Sequence, residues 1–396
     1  MSTDAQINIV LQAVLGAHLL FVAVWLVAIP RSPRSAAVLL AAFLLGAAGC
    51  ELVDILQLLG ILREQTWLVG VYLPWMYALP PLLYLYTYTL TSAARSPESR
   101  QLRWLALGPL AGLLCTVPYL AMEAAQQTAV LDVGYLHIGS SAASMRVPLQ
   151  LAILAYPLYA AGYLLASFLR LRRHMRVVEG FFSNIEDKTL SWLRWVLLLL
   201  CVALAASVVD TFSEPLLGYH LIGDTAANLI EALWVYPLTF LALAQPPIFA
   251  DEGERASAQE ASIPSPPKYA RSALTGVDLV RIAAKLQQAM HDARLYRDAS
   301  LTLRSLSDLT GVPQNYISQT LNIHLGCSFF DYINRWRIED ACAQLADGER
   351  SILTISEDVG FQSRSTFNAA FKKIVGQTPS IYRQRASAPE PYQSEA

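Results

Sequence analysis

Two short stretches near the end of this chain carry side chains suited to reading base edges. In the first, Gln314, Asn315, Ser318, Gln319 and Asn322 lie on the outward side of a helix-period stretch whose apolar positions are Ile317 and Leu321. An amide sets a donor beside an acceptor and so makes two hydrogen bonds to adenine, and a hydroxyl serves several bases. In the second, Arg364, Ser365, Thr366 and Asn368 are followed by Lys372 and Lys373, with Arg383 beyond. The Arg364 guanidinium suits the two acceptors of guanine, or simply a phosphate. A third group calls for different chemistry. Glu51, Asp54, Asp210, Glu214 and Glu231 lie within or at the ends of long apolar stretches, where a charge is costly and usually functional.

Base-reading side chains need helices to hold them, and the sequence supplies the same arrangement twice. Residues 306–332 and 355–382 match at an offset of 49 to 50, the mark of an internal repeat. Leu306, Gly311 and Val312 correspond to Ile355, Gly360 and Phe361. Ile317, Leu321, Gly326, Ser328 and Tyr332 correspond to Phe367, Phe371, Gly376, Thr378 and Tyr382. Each copy reads as a short helix, a Gly-containing turn and a second helix with apolar residues four apart, which is a helix-turn-helix. In such a unit the first helix packs across the second, and the second offers one face to the major groove. Phe329, Ile333, Trp336, Ile338, Ala341 and Leu345 predict one linking helix from Phe329 to Leu345, fixing the separation of the two copies. Upstream, Leu279, Ile282, Leu286, Met290 and Ala293 share a helical face over Val277–Leu295. That face packs on the domain, or serves as a homodimer seam or signal-relay helix.

The stretch ILTISEDVGFQSRSTFNAAFKKIVGQTPSIYR, Ile352 to Arg383, resembles the signature of the AraC/XylS family of bacterial transcription regulators. The preceding SLSDLTGVPQNYISQTLNIHLGCSFFDYINRWRIEDACAQL is similar to that family's first motif and linking helix. The resemblance covers about 100 of the 396 residues, through G-F, F-x-x-x-F-K-K, G-x-T-P and Y-R at matching intervals. It implies a bihelical domain that places two recognition helices in successive major grooves of double-stranded promoter DNA, with RNA polymerase as a partner. Where many family members carry a cupin-like sugar-binding domain, this chain carries something else. Ala369 stands where members often have a long polar or basic residue. The domain is not basic overall, so affinity for DNA must come from local clusters such as Lys372, Lys373 and Arg383.

The part upstream is apolar. Hydrophobic residues make up 54% of the chain and charged residues 15%, against roughly 25% charged in an average soluble domain, which excludes a single soluble globule. Residues 1–250 hold 13 of the 29 basic residues, 12 of them Arg. Residues 251–396 hold the other 16 with 17 acidic ones, a net charge near −1. Apolar stretches of the roughly 20 residues needed to cross about 30 Å of hydrocarbon run Ile7–Ile29, Ser35–Leu59, Trp67–Leu90, Leu102–Met122, Val147–Leu169, Trp192–Phe212 and Ala226–Ala244. Seven helical spans are expected, because lipid offers no partner to an unpaired backbone group. The first lacks a basic segment ahead of it and is longer than a signal peptide's apolar core, so it reads as a retained span.

Connections of one parity, counted with the first residues of the spans that follow them, hold 11 Lys and Arg residues and those of the other parity hold 2, Arg63 and Arg146. Cytoplasmic loops are the basic ones. The expected placement is a bacterial inner membrane with the N-terminus outside and the tail in the cytoplasm. The fold class expected is therefore all-α: a seven-span sensor domain over 1–250, a Pro- and Ser-rich linker over 251–272, and the double helix-turn-helix domain over 273–396.

In that orientation Glu51 and Asp54 lie three apart in the outer half of span two, Asp210 and Glu214 four apart near the outer end of span six, and Glu231 in the outer part of span seven. No basic residue lies near them in those spans. A small ligand bearing an amine, a cation or a proton balances them, unless some are protonated or reach outer water. Tyr77 and Tyr84 flank Pro80 and Pro81 in span three, and Tyr156 and Tyr236 each begin Y-P-L in spans five and seven. Proline kinks open gaps that aromatics can line, as an apolar ligand pocket or as ordinary packing and interfacial belts. His137 and His220 fall in near-duplicate outer loops, GYLHIG and GYHLIG, and are weak metal candidates. His18 reads as a satisfied packing residue. The five cysteines are scattered, with no C-x-x-C pair, so neither a disulfide framework nor a zinc site is expected. No cofactor motif, G-x-S-G, H-E-x-x-H, G-x-G-D, phosphate loop or kinase signature is evident, and the chain is not expected to be an enzyme. A one-component regulator is the leading reading. A transporter or intramembrane enzyme with an autoregulatory tail, or a DNA-binding domain on a passive anchor, are the alternatives.

Overall fold

The computed structural model describes residues 3–29, 34–92, 106–133, 143–185, 190–244, 274–348 and 350–386. The linker over 251–272 and the loop holding His137 lie outside them. Every regular element among the described residues is helical, as the sequence leads one to expect. One isolated antiparallel bridge joins Phe182 to Thr302. The chain divides into two units, Met1–Arg173 with Leu190–Ala250, and His174–Thr189 with Asp251–Ala396.

The first unit is built from α1 (Thr3–Ala28), α2 (Arg34–Leu58), α3 (Trp67–Thr91), α4 (Leu107–Leu120), α5 (Ala124–Val133), α6 (Ala143–Phe181, whose last residues belong to the second unit), α7 (Ser191–Leu217) and α8 (Gly223–Ala244). Six of these are long and apolar enough to cross a membrane: α1, α2, α3, α6, α7 and α8. The fourth of the seven expected spans differs. Its described part, α4, has 14 residues, about 21 Å at 1.5 Å per residue, and residues 102–105 of the expected stretch are outside the described residues.

This unit is apolar outside as well as inside, unlike a water-soluble bundle. Leu158, Leu114 and Phe240 are 80%, 72% and 71% exposed, while Asn8, Gln12, Glu51 and Asn228 are buried. Large exposed apolar surface of this kind marks a face made for lipid or a partner, and buried polar groups between apolar helices hold them together by hydrogen bonds. Asn8 of α1 accepts from Thr225 Oγ1 (2.9 Å) and Asn228 Nδ2 (3.3 Å) of α8. His18 lies 2.9 Å from Thr239 Oγ1, with its ring 4.6 Å from that of Tyr236, the satisfied packing histidine expected. Gly108 and Gly112, one turn apart, let α4 approach closely. A Cβ on Gly108 would meet Tyr159 Oη at 1.9 Å, and one on Gly112 would meet the Pro74 backbone at 3.1 Å.

The second unit holds α9 (Gly276–Ala293), α10 (Leu303–Thr310), α11 (Gln314–Gln319, continued by a wider π-type turn over Thr320–His324), α12 (Phe329–Ala346), α13 (Ile352–Asp358), α14 (Arg364–Val375) and α15 (Pro379–Ala386). Local sequence starts most of them. Thr275, Thr302, Ser328, Ser351 and Ser363 each accept from the backbone N–H three residues on, capping α9, α10, α12, α13 and α14. Gly311 and Gly376 end α10 and α14 at φ +64° and +81°, a conformation that favours glycine.

Two apolar cores share α12. One joins Ile282, Leu286 and Met290 of α9, Leu306, Ile317 and Leu321 of copy one, and Phe329 and Ile333 of α12. The other joins Ile338, Ala341 and Leu345 of α12 to Ile355, Phe361, Phe367 and Phe371 of copy two. The face of α9 is thus spent on packing. Its apolar row is inside the domain, which leaves no dimer seam along Ile282, Leu286 and Met290, and Ala293 falls outside the row.

Candidate functional site

In copy one, helix α11 carries the expected row. Asn315 and Asn322 are exposed and Ser318 half-buried between them, at i, i+3 and i+7. Asn322 Nδ2 donates to the Ser318 carbonyl at 2.8 Å and to its hydroxyl at 3.3 Å, and Asn315 Oδ1 accepts from the Tyr316 N–H at 3.0 Å. Gln314 is half-buried with its Oε1 enclosed and unbonded. Gln319 departs from its expected outward position and is 6% exposed. The physical reason is α9, which packs along α11 and its π-type turn, so this helix has a second covered side that its own periodicity does not reveal.

In copy two, Arg364 and Ser365 are exposed at the start of α14, Thr366 and Asn368 half-buried, and Lys372 exposed near its end. The Ser365 hydroxyl lies 2.9 Å from that of Ser363. Ala369 is also exposed in this row, so the row offers a gap where a long side chain would stand. Two of the expected cations are engaged within the domain. Lys373 Nζ sits 2.7 Å from Asp331 Oδ1, tying α14 to the first turn of α12. Arg383 is half-buried and donates to the Arg350 carbonyl at 2.7 Å. Each copy therefore presents one polar row on its second helix, the first neutral and the second cationic.

What ties the linking helix and copy two to the segments ahead of copy one is a residue that sequence reasoning missed. Arg337 of α12 is 1% exposed. Its Nε donates to the Tyr296 carbonyl (2.7 Å), Nη1 to the Ser183 carbonyl (3.0 Å), and Nη2 to the Asp298 carbonyl (2.9 Å) and the Ser183 hydroxyl (3.2 Å). Its guanidinium carbon lies 5.4 Å from the centre of the Phe361 ring of copy two. Burial lowers the Arg337 pKa to about 10, with the Asp298 charge opposing, so it remains a cation at neutral pH. Ser183, from the segment between the fifth and sixth apolar stretches, also pairs with Leu301. Its N–H and hydroxyl both donate to the Leu301 carbonyl, at 3.2 Å and 2.6 Å. A signal for Arg337 was present: Ile333, Arg337, Ala341 and Leu345 form an unbroken i+4 series, and an arginine on a core row implies a set of acceptors.

Beside it, Arg297 and the Tyr296 hydroxyl donate to Asp340 Oδ2 at 2.9 Å and 3.0 Å. Burial alone would raise the Asp340 pKa, but the hydrogen bonds from Gln344, Arg297 and Tyr296 and the Arg297 charge hold it below the ordinary carboxylate value. Gly360, at φ +99°, has no room for a side chain. A Cβ there would lie 2.7 Å from the Arg297 carbonyl oxygen.

The first unit contains a cavity of about 390 Å³ lined by helices α2, α3, α6, α7 and α8. Of the expected group, Glu51, Asp54, Asp210, Glu231 and Tyr156 line it. Asp210 is committed locally, accepting from the Ile222 N–H at 3.1 Å and pairing with His220 at 3.2 Å. The side chain of Glu214 and the whole of His137 lie outside the described residues. Tyr77, Tyr84 and Tyr236 are elsewhere. Tyr77 is buried with its hydroxyl on the Ala152 carbonyl at 2.6 Å, Tyr84 packs on Tyr88 and Tyr163, and Tyr236 packs on His18. Tyr72 and Trp234 line the cavity and were not anticipated. Trp234 had a signal, since it lies three residues after Glu231 on one face of α8.

Comparison with known proteins bears on the second unit. The helix-turn-helix domain family matches residues 306–385. A protein of Streptomyces lividans described as an AraC-like transcription regulator is 33% identical over 97 residues, 24% of this chain and 32% of its own length. One of Streptomyces antibioticus with the same description is 32% identical over 92 residues, 23% of this chain and 30% of its own. The Proteus vulgaris protein described as transcription factor PqrA is 25% identical over 99 residues, 25% of this chain but 81% of its own. This chain thus spans about a third of the length of the two Streptomyces relatives. No solved structure matches the chain. Residues 306–385 form an AraC-type helix-turn-helix domain, carried behind a set of apolar helices long enough to cross a membrane.

Proposed function

We propose that this protein is a membrane-embedded one-component transcription regulator. Its apolar helices lie in the bacterial inner membrane with the N-terminus outside, and its AraC-type domain binds double-stranded promoter DNA in the cytoplasm. The observation that carries this reading is one chain joining a bundle with its apolar residues outward to a domain with a polar row on each of two second helices. The 11-to-2 division of basic residues among the connections supports the orientation. Asn315, Ser318 and Asn322 read bases from one row, and Arg364, Ser365 and Asn368 from the other, with Lys372 at a phosphate. RNA polymerase is the partner through which bound DNA becomes transcription. The signal reaches the DNA-binding domain mechanically, through the segment His174–Thr189, which belongs to the same unit as that domain although it directly follows the fifth apolar stretch.

The test is immunoprecipitation of the full-length protein from cross-linked cells, followed by binding to the recovered fragments in nanodiscs. A small set of promoter fragments bound in preference to bulk DNA is the expected result, with affinity falling steeply as salt rises. Recovery of no preferred fragment overturns the reading. Failure of a cytoplasmic reporter fused after Ala396 to show activity, with a periplasmic reporter active there, overturns the orientation.

A further inference from the structure

The cavity of the first unit has an electrostatic imbalance that the protein itself does not correct. Glu51 is 3% exposed, lines the cavity, and its Oε2 has no hydrogen-bond partner. Glu231 lies against it and Asp54 lines the same space one turn along α2. Among the described residues lining the cavity there is no lysine or arginine. Any of the three that is ionised finds no cation within the cavity's own lining, and buried carboxylates between apolar helices are otherwise paired. A counter-charge from outside the chain is what the site lacks.

The walls select among cations. Among the described residues no three His, Cys, Asp or Glu side chains lie close enough to share a metal ion, and a hard cation needs six or more oxygen ligands. A volume of about 390 Å³ falls in the range of small-molecule pockets, which enclose mostly apolar ligands fixed by a few polar groups. Tyr72, Tyr156 and Trp234 line the same cavity as the carboxylates, and aromatic rings attract ammonium groups.

We propose that this cavity binds an organic ammonium ion with an apolar or aromatic body, the ammonium on Glu51 and its neighbour Glu231, with Asp54 adding charge from the same wall, and the body among Tyr72, Tyr156 and Trp234. The proposal deepens the sensor reading and rests on it for its biological meaning, but its test does not require DNA.

The full chain in phosphatidylcholine nanodiscs at neutral pH is titrated with butylammonium, hexylammonium, 2-phenylethylammonium and benzyltrimethylammonium, against 2-phenylethanol and calcium as controls. Binding is read from calorimetry and tryptophan fluorescence. At least one ammonium is expected to saturate the site, with 2-phenylethanol at least ten times weaker than 2-phenylethylammonium. The Glu51→Gln, Asp54→Asn double variant should weaken ammonium binding about tenfold or more, which is a difference of about 1.4 kcal/mol. As a second, milder variant, Trp234→Phe should weaken the aromatic ammonium about threefold relative to butylammonium, since indole is the strongest ring partner. Equal binding of alcohol and ammonium, preference for calcium, or no carboxylate-dependent binding by any ammonium overturns the proposal. Promoter-fragment binding by the same variant preparations separates the two readings. Ammonium binding with no DNA preference would remove the regulator and leave the site, and the converse would do the opposite.

Discussion

Copy one of the helix-turn-helix is packed by α9, by the turn Leu295–Arg297 and by Phe181, and its outward row is neutral. Copy two is built around Phe361, Phe367 and Phe371, and its outward row begins with Arg364 and ends in lysines. The difference follows from what each chemistry demands. An amide discriminates between bases only if its orientation is fixed, since two hydrogen bonds must form together. A cation gains affinity from any phosphate it meets and tolerates looser support. The copy whose row is mainly amides is the one clamped from several sides.

Arg337 stands where the two copies meet, so it gives the largest effect. Arg337→Ala leaves the carbonyls of Tyr296 and Ser183 without this donor and the Asp298 carbonyl with the Leu301 N–H alone, at a cost of about 1–3 kcal/mol for each buried acceptor left unpaired. Hydrogen exchange on the full chain in nanodiscs should show faster exchange in α10 and α12 as well as α13. Phe367→Ala, a core truncation worth about 3–5 kcal/mol, should loosen α13 and α14 while α10 and α11 stay protected. If Arg337→Ala loosens copy two alone, Arg337 is not the joint between the copies.

Next in size is DNA binding itself. Arg364→Ala should weaken every promoter fragment by about 1–3 kcal/mol if it reads guanine, with preference relaxed at one position. Asn315→Ala should change sequence preference more than affinity, because its row carries no charge. Loss of affinity without loss of preference in Asn315→Ala would reverse the roles assigned to the two rows.

The comparison also shows how far the sequence alone could go. The repeat, the linking helix and the core positions Ile317, Leu321, Phe367 and Phe371 were legible because helical periodicity and capping are local. Glu51, Asp54 and Glu231 were legible because a charge in an apolar stretch is conspicuous and costly. Gln319 misled because a third helix covers it, and no local pattern states which helix lies outside a two-helix unit. The Ser183 contacts were illegible for a related reason. They join Ser183 to the Leu301 carbonyl 118 residues on and its own carbonyl to the Arg337 guanidinium 154 residues on, and a backbone acceptor carries no residue signature. The tyrosines divided badly: Tyr156 reached the cavity, while Tyr77 and Tyr84 packed elsewhere, since aromatics serve packing and pockets alike.

Acid separates the copies more gently. Asp340 has its pKa lowered by hydrogen bonds from Gln344 of α12 and from Arg297 and Tyr296, which lie ahead of copy one. A carboxylate depressed in the folded state contributes stability above its unfolded value, about 3.9, and loses it as pH falls through the folded value. As pH falls below about 4, through the folded value, the contacts of Tyr296 and Arg297 should therefore weaken. Asp340→Asn should flatten that part of the acid profile of α12 exchange. An unchanged profile would assign the acid response to other carboxylates.

The smallest effect tests the cationic row most sharply. Lys373 is already held by Asp331, with side chains 68% and 35% exposed, and such surface pairs contribute about 0–1 kcal/mol. Lys373→Ala should thus barely alter stability. If Lys373 stays on Asp331 when DNA binds, it releases no counterion, and the dependence of log affinity on log salt is unchanged. Lys372→Ala, which removes an exposed cation, should lower that slope by about 0.9, the value for one phosphate contact on duplex DNA. A slope that falls in Lys373→Ala but not in Lys372→Ala would mean that DNA takes Lys373 from Asp331. Binding would then loosen the tie between α14 and α12, so that copy two is freed from the linking helix at that point.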